Sequence, residues 1–94
     1  MIARIVKLTF KQEEVESFLQ LFQNSKHLIL AMEGCLHLEL MQDKSEATIF
    51  FTYSKWNSEA DLEKYRQSII FQKIWSNTKP KFEKQAEAWT LLAV

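Results

Sequence analysis

The segment Thr48–Trp56, TIFFTYSKW, constrains this chain more than any other stretch. It is dense in β-branched and aromatic residues and free of Gly and Pro, which predicts a strand. Period two places Thr48, Phe50, Thr52, Ser54 and Trp56 on one face and Ile49, Phe51, Tyr53 and Lys55 on the other. Both faces carry large rings. A strand with water on one side alternates apolar and polar residues, so this one calls for cover on both sides. The chain's own helices can supply one cover, and a second copy of the chain is the simplest source of the other.

The residues that follow predict where the strand ends. Asn57-Ser58-Glu59-Ala60-Asp61 reads as a helix start, with Ser58 as N-cap and Asp61 three positions on in a capping-box arrangement. Glu59 and Asp61 also bring negative charge to the positive end of the helix dipole. Leu62, Tyr65 and Ile69 form its inward stripe. Ser68 offers a second cap, opening a short helix with Phe71, Ile74, Trp75 and Thr78 on one face, and Pro80 ends it.

Upstream, Ile2–Phe10 predicts another strand, with Ile2, Arg4, Val6, Leu8 and Phe10 on one face. A long helix is expected over Lys11–Glu33, where Val15, Phe18, Leu19, Phe22, Ile29 and Met32 recur at steps of three and four. Gly34, the only glycine, stands where a left-handed residue would stop that helix. Cys35–Gln42 alternates, with Leu36, Leu38 and Leu40 opposite Cys35, His37, Glu39 and Met41, and Asp43–Glu46 is a polar turn back into the Thr48 strand. Ala86–Val94 is the last strand. The order strand, helix, strand, strand, helix, strand is the ferredoxin-like split βαβ unit, an α+β fold with an antiparallel four-stranded sheet. Residues 1–94 are read as one domain.

Composition removes several function classes. Lys+Arg and Asp+Glu are 12 each and intermixed, so the chain has no field to attract nucleic acid. No apolar run approaches a membrane span, and no basic and apolar leader precedes the first strand. A single cysteine excludes an internal disulfide and accords with a reducing compartment, so a cytoplasmic protein is expected. Two histidines and one cysteine, widely spaced, form no metal-ligand pattern.

Four features give the chain a family likeness: the opening strand IARIVKLTF, the EGC that closes the first helix, the junction FFTYSKWNSEADLEKY, and the SIIFQKIW helix with its terminal strand. Together they span essentially the whole chain and resemble the antibiotic biosynthesis monooxygenase family. The resemblance implies chains that pair sheet to sheet as homodimers, forming a dimeric α+β barrel. It further implies a cofactor-independent monooxygenase acting on a small aromatic compound of phenol or quinol type. A non-catalytic small-molecule binding or sensing dimer of the same fold is the alternative. Members acting on polyketides carry a Trp at the strand end, matched here by Trp56. Their Asn four residues earlier is replaced by Thr52 and their helix Tyr by Leu62, and their Arg further on has no assigned counterpart, neither Arg66 nor Trp75 being placed in that role. The haem-degrading branch needs an Asn in the first strand, a Trp in the second helix and a His in the third. This chain has no Asn before Asn24, and Tyr65 and Trp75 stand at the other two positions, so no haem and no other cofactor is expected.

The candidate site residues follow from the chemistry such a reaction needs. The substrate supplies the electrons, and the protein supplies an apolar pocket, ring-stacking surfaces and a few hydrogen bonds. Thr52, Trp56, Arg66 and Trp75 are the candidate substrate contacts, and His37 and Tyr65 the candidate catalytic groups, His37 as a base because imidazole titrates near neutrality. Each has a plainer role open to it. Trp56, Tyr65 and Trp75 could be core, His37 could face a dimer partner, Arg66 could be solvated, and Cys35 could be a small buried strand residue.

Overall fold

The computed structural model describes residues 1–94. Its elements are β1 (Ile2–Phe10), α1 (Val15–Leu30), β2 (Cys35–Gln42), β3 (Ile49–Trp56), α2 (Glu59–Arg66), α3 (Ile69–Thr78) and β4 (Phe82–Leu92), with 3₁₀ turns at Gln12–Glu14 and Lys79–Lys81. The four strands are antiparallel in the order β2-β3-β1-β4, so the α+β ferredoxin-like reading holds. No helix is long and apolar enough to cross a membrane.

Local chemistry places the junctions. Ser58 Oγ accepts from the Asp61 N–H at 3.1 Å and donates to Asp61 Oδ2 at 3.0 Å, closing the start of α2 as its sequence predicts. Ser68 Oγ accepts from the Phe71 N–H at 3.1 Å and donates to the Tyr65 carbonyl at 2.6 Å, so one hydroxyl ends α2 and starts α3. In the β2–β3 turn, Asp43 Oδ2 accepts from the N–H groups of Ser45 and Glu46 at 3.0 and 2.8 Å.

Several boundaries differ from the sequence reading. α1 starts at Val15, after an extended Lys11 and the first 3₁₀ turn, and ends at Leu30. Gly34 does have a positive φ, +82°, but as the third residue of a turn closed by Cys35 N–H to the Met32 carbonyl, 3.1 Å, rather than as the helix's own stop. A Cβ at this position would overlap the Asp61 side chain, so the glycine also lets the turn lie against the start of α2. The break at Ser68 takes Ile69 off the α2 stripe and leaves it 70% exposed, while Ile70 packs on the core instead. β4 begins at Phe82, four residues earlier than alternation alone suggests, because Glu83, Lys84 and Gln85 lie exposed in an edge strand.

β2 departs from simple alternation. Cys35 pairs with Trp56 and His37 with Lys55, so Leu36 is the extra residue of a bulge. The bulge puts Cys35 on the helix side with Leu38 and leaves Leu36 55% exposed. His37, Glu39 and Met41 occupy the other side, in register with Lys55, Tyr53 and Phe51.

The helices cover one face of the sheet, and the core there is divided. One cluster joins Leu8, Phe10, Phe18 and Phe50, with Phe10 and Phe18 stacked at 4.2 Å between centroids. The other joins Ile2, Ile29, Leu38, Trp56, Leu62 and Tyr65. Between them, the inward face of β3 carries only Thr52 and Ser54, and β4 contributes Ala86 and Ala88. Large side chains at the ends of the strands and small ones in the middle leave a gap beneath the helices.

Candidate functional site

That gap is a cavity of about 320 Å³. Thr52, Ser54, Ala86 and Ala88 form its floor beside Arg4 and Val6 of β1, and Phe71, Ile74, Trp75 and Thr78 of α3 form much of its roof. Trp56 and Tyr65 close one end. Their rings stack at 5.1 Å with an interplanar angle of 23°, and Phe71 and Trp75 stack at 5.9 Å and 11°. Flat aromatic walls over a small-residue floor suit a planar apolar ligand.

Five of the six residues singled out in the sequence line this cavity: Thr52, Trp56, Tyr65, Arg66 and Trp75. Trp56 is at once core and wall. It is 1% exposed, and its Nε1–H donates to Ser54 Oγ at 3.0 Å, which satisfies the indole without drawing on a ligand. Burial, with Cys35 adding a smaller push in the same direction, raises the Tyr65 phenol well above its ordinary range. At neutral pH Tyr65 is therefore a hydroxyl that can donate a hydrogen bond, not a phenolate that can take a proton. Arg66 is 44% exposed at its side chain and pairs with Glu63 Oε2 at 3.3 Å, an exposed contact of small energetic weight.

The sixth residue, His37, is elsewhere. It lies on the opposite face of the sheet, its ring centroid 5.6 Å from that of Tyr53 and its Nε2 3.1 Å from Glu39 Oε1. The sheet itself separates it from the cavity. Cys35 packs with the Trp56 cluster, and burial raises its thiol, partly opposed by a long 3.8 Å contact to the His37 carbonyl. It is the small core residue its surroundings suggest. No three His, Cys, Asp or Glu side chains converge where they could hold a metal ion.

One lining residue carries chemistry that the motif reading passed over. Arg4 sits on the helix-facing side of a central strand, among Ile2, Val6, Leu8 and Phe10. Its Nη1 donates to Thr90 Oγ1 at 2.8 Å. The signal was present in the sequence, a lone cation in an otherwise apolar inward row.

Residues 1–76 match the model of the antibiotic biosynthesis monooxygenase family, and the chain belongs to that family. Among solved structures, an antibiotic biosynthesis monooxygenase superposes with a TM-score of 0.93 at 18% identity, over 100% of this chain and 99% of that one. A conserved protein from Methanosarcina mazei Go1 superposes with a TM-score of 0.89 at 24% identity, over 96% and 90%. A protein from Mycobacterium tuberculosis does so with a TM-score of 0.91 at 13% identity, over 99% and 94%. At these identities the structures establish the shared fold. No protein with a curated function matches the chain.

Proposed function

We propose that this chain is a cofactor-independent monooxygenase of a small phenol- or quinol-type compound, working as a cytoplasmic homodimer. The observation that carries the reading is the aromatic-walled cavity of about 320 Å³, the size class of small-ligand sites. In this reaction the substrate itself donates the electrons. It loses two hydrogens, gains one atom of O₂, and the second oxygen atom leaves as water. The protein's part is to hold a flat ring between Trp56, Trp75 and the floor, to exclude water, and to direct hydrogen bonds from Thr52 and Tyr65 to the substrate's oxygens. The dimer is supported by the open sheet face, where Trp89 is 44%, Leu91 49% and Met41 40% exposed beside Ile5, Phe51 and Tyr53.

One observation favours the second reading, a dimer that binds its ligand without turnover. The cavity lining contains neither a histidine nor a carboxylate, so no protein group that titrates near neutrality faces the ligand. Oxygen uptake by metal-stripped protein with a panel of anthrones and quinols separates the two. Uptake above the buffer rate that drops in folded Tyr65→Phe and Trp56→Ala variants supports the oxygenase. Saturable binding of the same compounds without uptake assigns the chain to the binding class.

A further inference from the structure

The cavity's polar groups are distributed unevenly, and its charge is of one sign. Arg4 and Arg66 line it, and no Asp or Glu does. Arg4 reaches it from the inward face of β1, in register with Ser54 on one side and Thr90 on the other. Its one hydrogen bond is to the neutral hydroxyl of Thr90. Arg66 reaches it from the end of α2, with Glu63 as its only ion pair, at 3.3 Å and in solvent. A guanidinium does not shed its proton, so both charges persist in a chamber otherwise walled by rings and aliphatic chains. Burial and then the nearby Arg66 push the Arg4 guanidinium below its ordinary value, while Glu63 opposes them. Two like charges border a half-buried space, and their one nearby counterion, Glu63, is exposed and outside the lining, which makes an anion the complementary guest.

We infer that Arg4 and Arg66 form the anchoring end of the cavity for a carboxylate, so that the natural ligand is an aromatic acid, a flat apolar body bearing one carboxylate. This rests on the reading of the cavity as a ligand site and deepens it by naming the ligand's class. The guanidinium fork matches the two oxygens of a carboxylate, and such charge-assisted bonds are about twice as strong as neutral ones. Trp56, Tyr65 and Trp75 would take the ring, and the arginines would set its direction. Arg4, on a central strand, is the rigid member of the pair, and the more exposed Arg66 is the adjustable one.

The test uses 2-naphthoate and its neutral counterpart 2-naphthalenemethanol as probes, titrated calorimetrically into the intact wild-type protein. The expected result is naphthoate binding about tenfold or more tighter than the alcohol, with added salt weakening the acid and not the alcohol. Arg4→Met should abolish that preference while alcohol binding persists. Arg66→Met should reduce it, and Arg4→Lys, which keeps the charge and loses the fork, should retain part of it. Equal affinities, a salt-independent preference, or no saturable binding of naphthoate by the folded wild-type protein overturns the inference. A preference that survives in folded Arg4→Met does the same. The salt series on wild type decides the matter even if a variant fails to fold. Oxygen uptake is scored separately. A carboxylate preference without uptake leaves this inference standing and removes the oxygenase, whereas uptake with neutral quinols and no preference does the reverse.

Discussion

The two faces of the sheet are built from the same strands and nearly the same residue types, yet they have opposite fates. On the helix side Phe50, Ser54 and Trp56 are buried, and the space between large end residues becomes a cavity. On the other side Ile49, Phe51 and Tyr53 are only half-covered, and Trp89 and Leu91 are open. The difference is one of cover, not of composition. Helices that cross a sheet leave a hollow wherever short side chains lie beneath them, while an uncovered face offers a plane that a second plane can meet. The first geometry suits a small ligand and the second suits another sheet.

The comparison can be broken most sharply at Trp56. Trp56→Ala removes a fully buried indole from one end of the cavity, and a loss of about 3–5 kcal/mol in denaturant unfolding is expected. Unchanged stability would mean that the helix side is less a core than its burial implies.

Phe51→Glu tests the other face. A carboxylate in the middle of the proposed sheet-to-sheet contact should raise the dimer dissociation constant at least about 30-fold, read by sedimentation, while the monomer keeps its helical circular dichroism. A dimer of undiminished strength would show that this face is not where copies meet.

Gly34→Ala probes the corner that sets α2 against β2. The positive φ and the overlap with Asp61 together should cost about 1–3 kcal/mol. Far less would mean that the start of α2 yields without disturbing the cavity.

The smallest effect is a pH dependence. Tyr65 has a folded-state pKa raised above its ordinary 10.0, so the native chain holds its proton longer than the unfolded chain does. Its contribution to stability is complete below that ordinary value and is lost as pH rises beyond it. In Tyr65→Phe the alkaline decline in stability should be shallower than in wild type, measured by urea unfolding between neutral and strongly alkaline pH. An identical decline would indicate that the hydroxyl reaches water.

Local sequence carried a good deal of this. Ser58 with Asp61 and Ser68 were legible as caps because their hydrogen bonds are made within three residues. The apolar double face of β3 was legible because alternation is a property of the strand itself, and the helices supply one of the two covers it calls for. Five of the six candidate residues line one cavity because inward faces and helix stripes are periodic. His37 was chosen for its chemistry, although alternation had already set it opposite the leucines, on the side where the structure places it. Arg4 was the converse, a residue whose position in an apolar row mattered more than any motif around it.

The set of elements, their caps and the two-sided strand at the centre were thus written in local sequence, because all of them depend on contacts between near neighbours. Long-range packing set the rest: Cys35 turns inward through a bulge, Ile69 falls outside the core, and β4 starts at Phe82. It also decided that Thr52, Ser54, Ala86 and Ala88 meet beneath residues of all three helices. Those outcomes depend on register and on which small residues from distant strands coincide, and neither is encoded within any single stretch of chain.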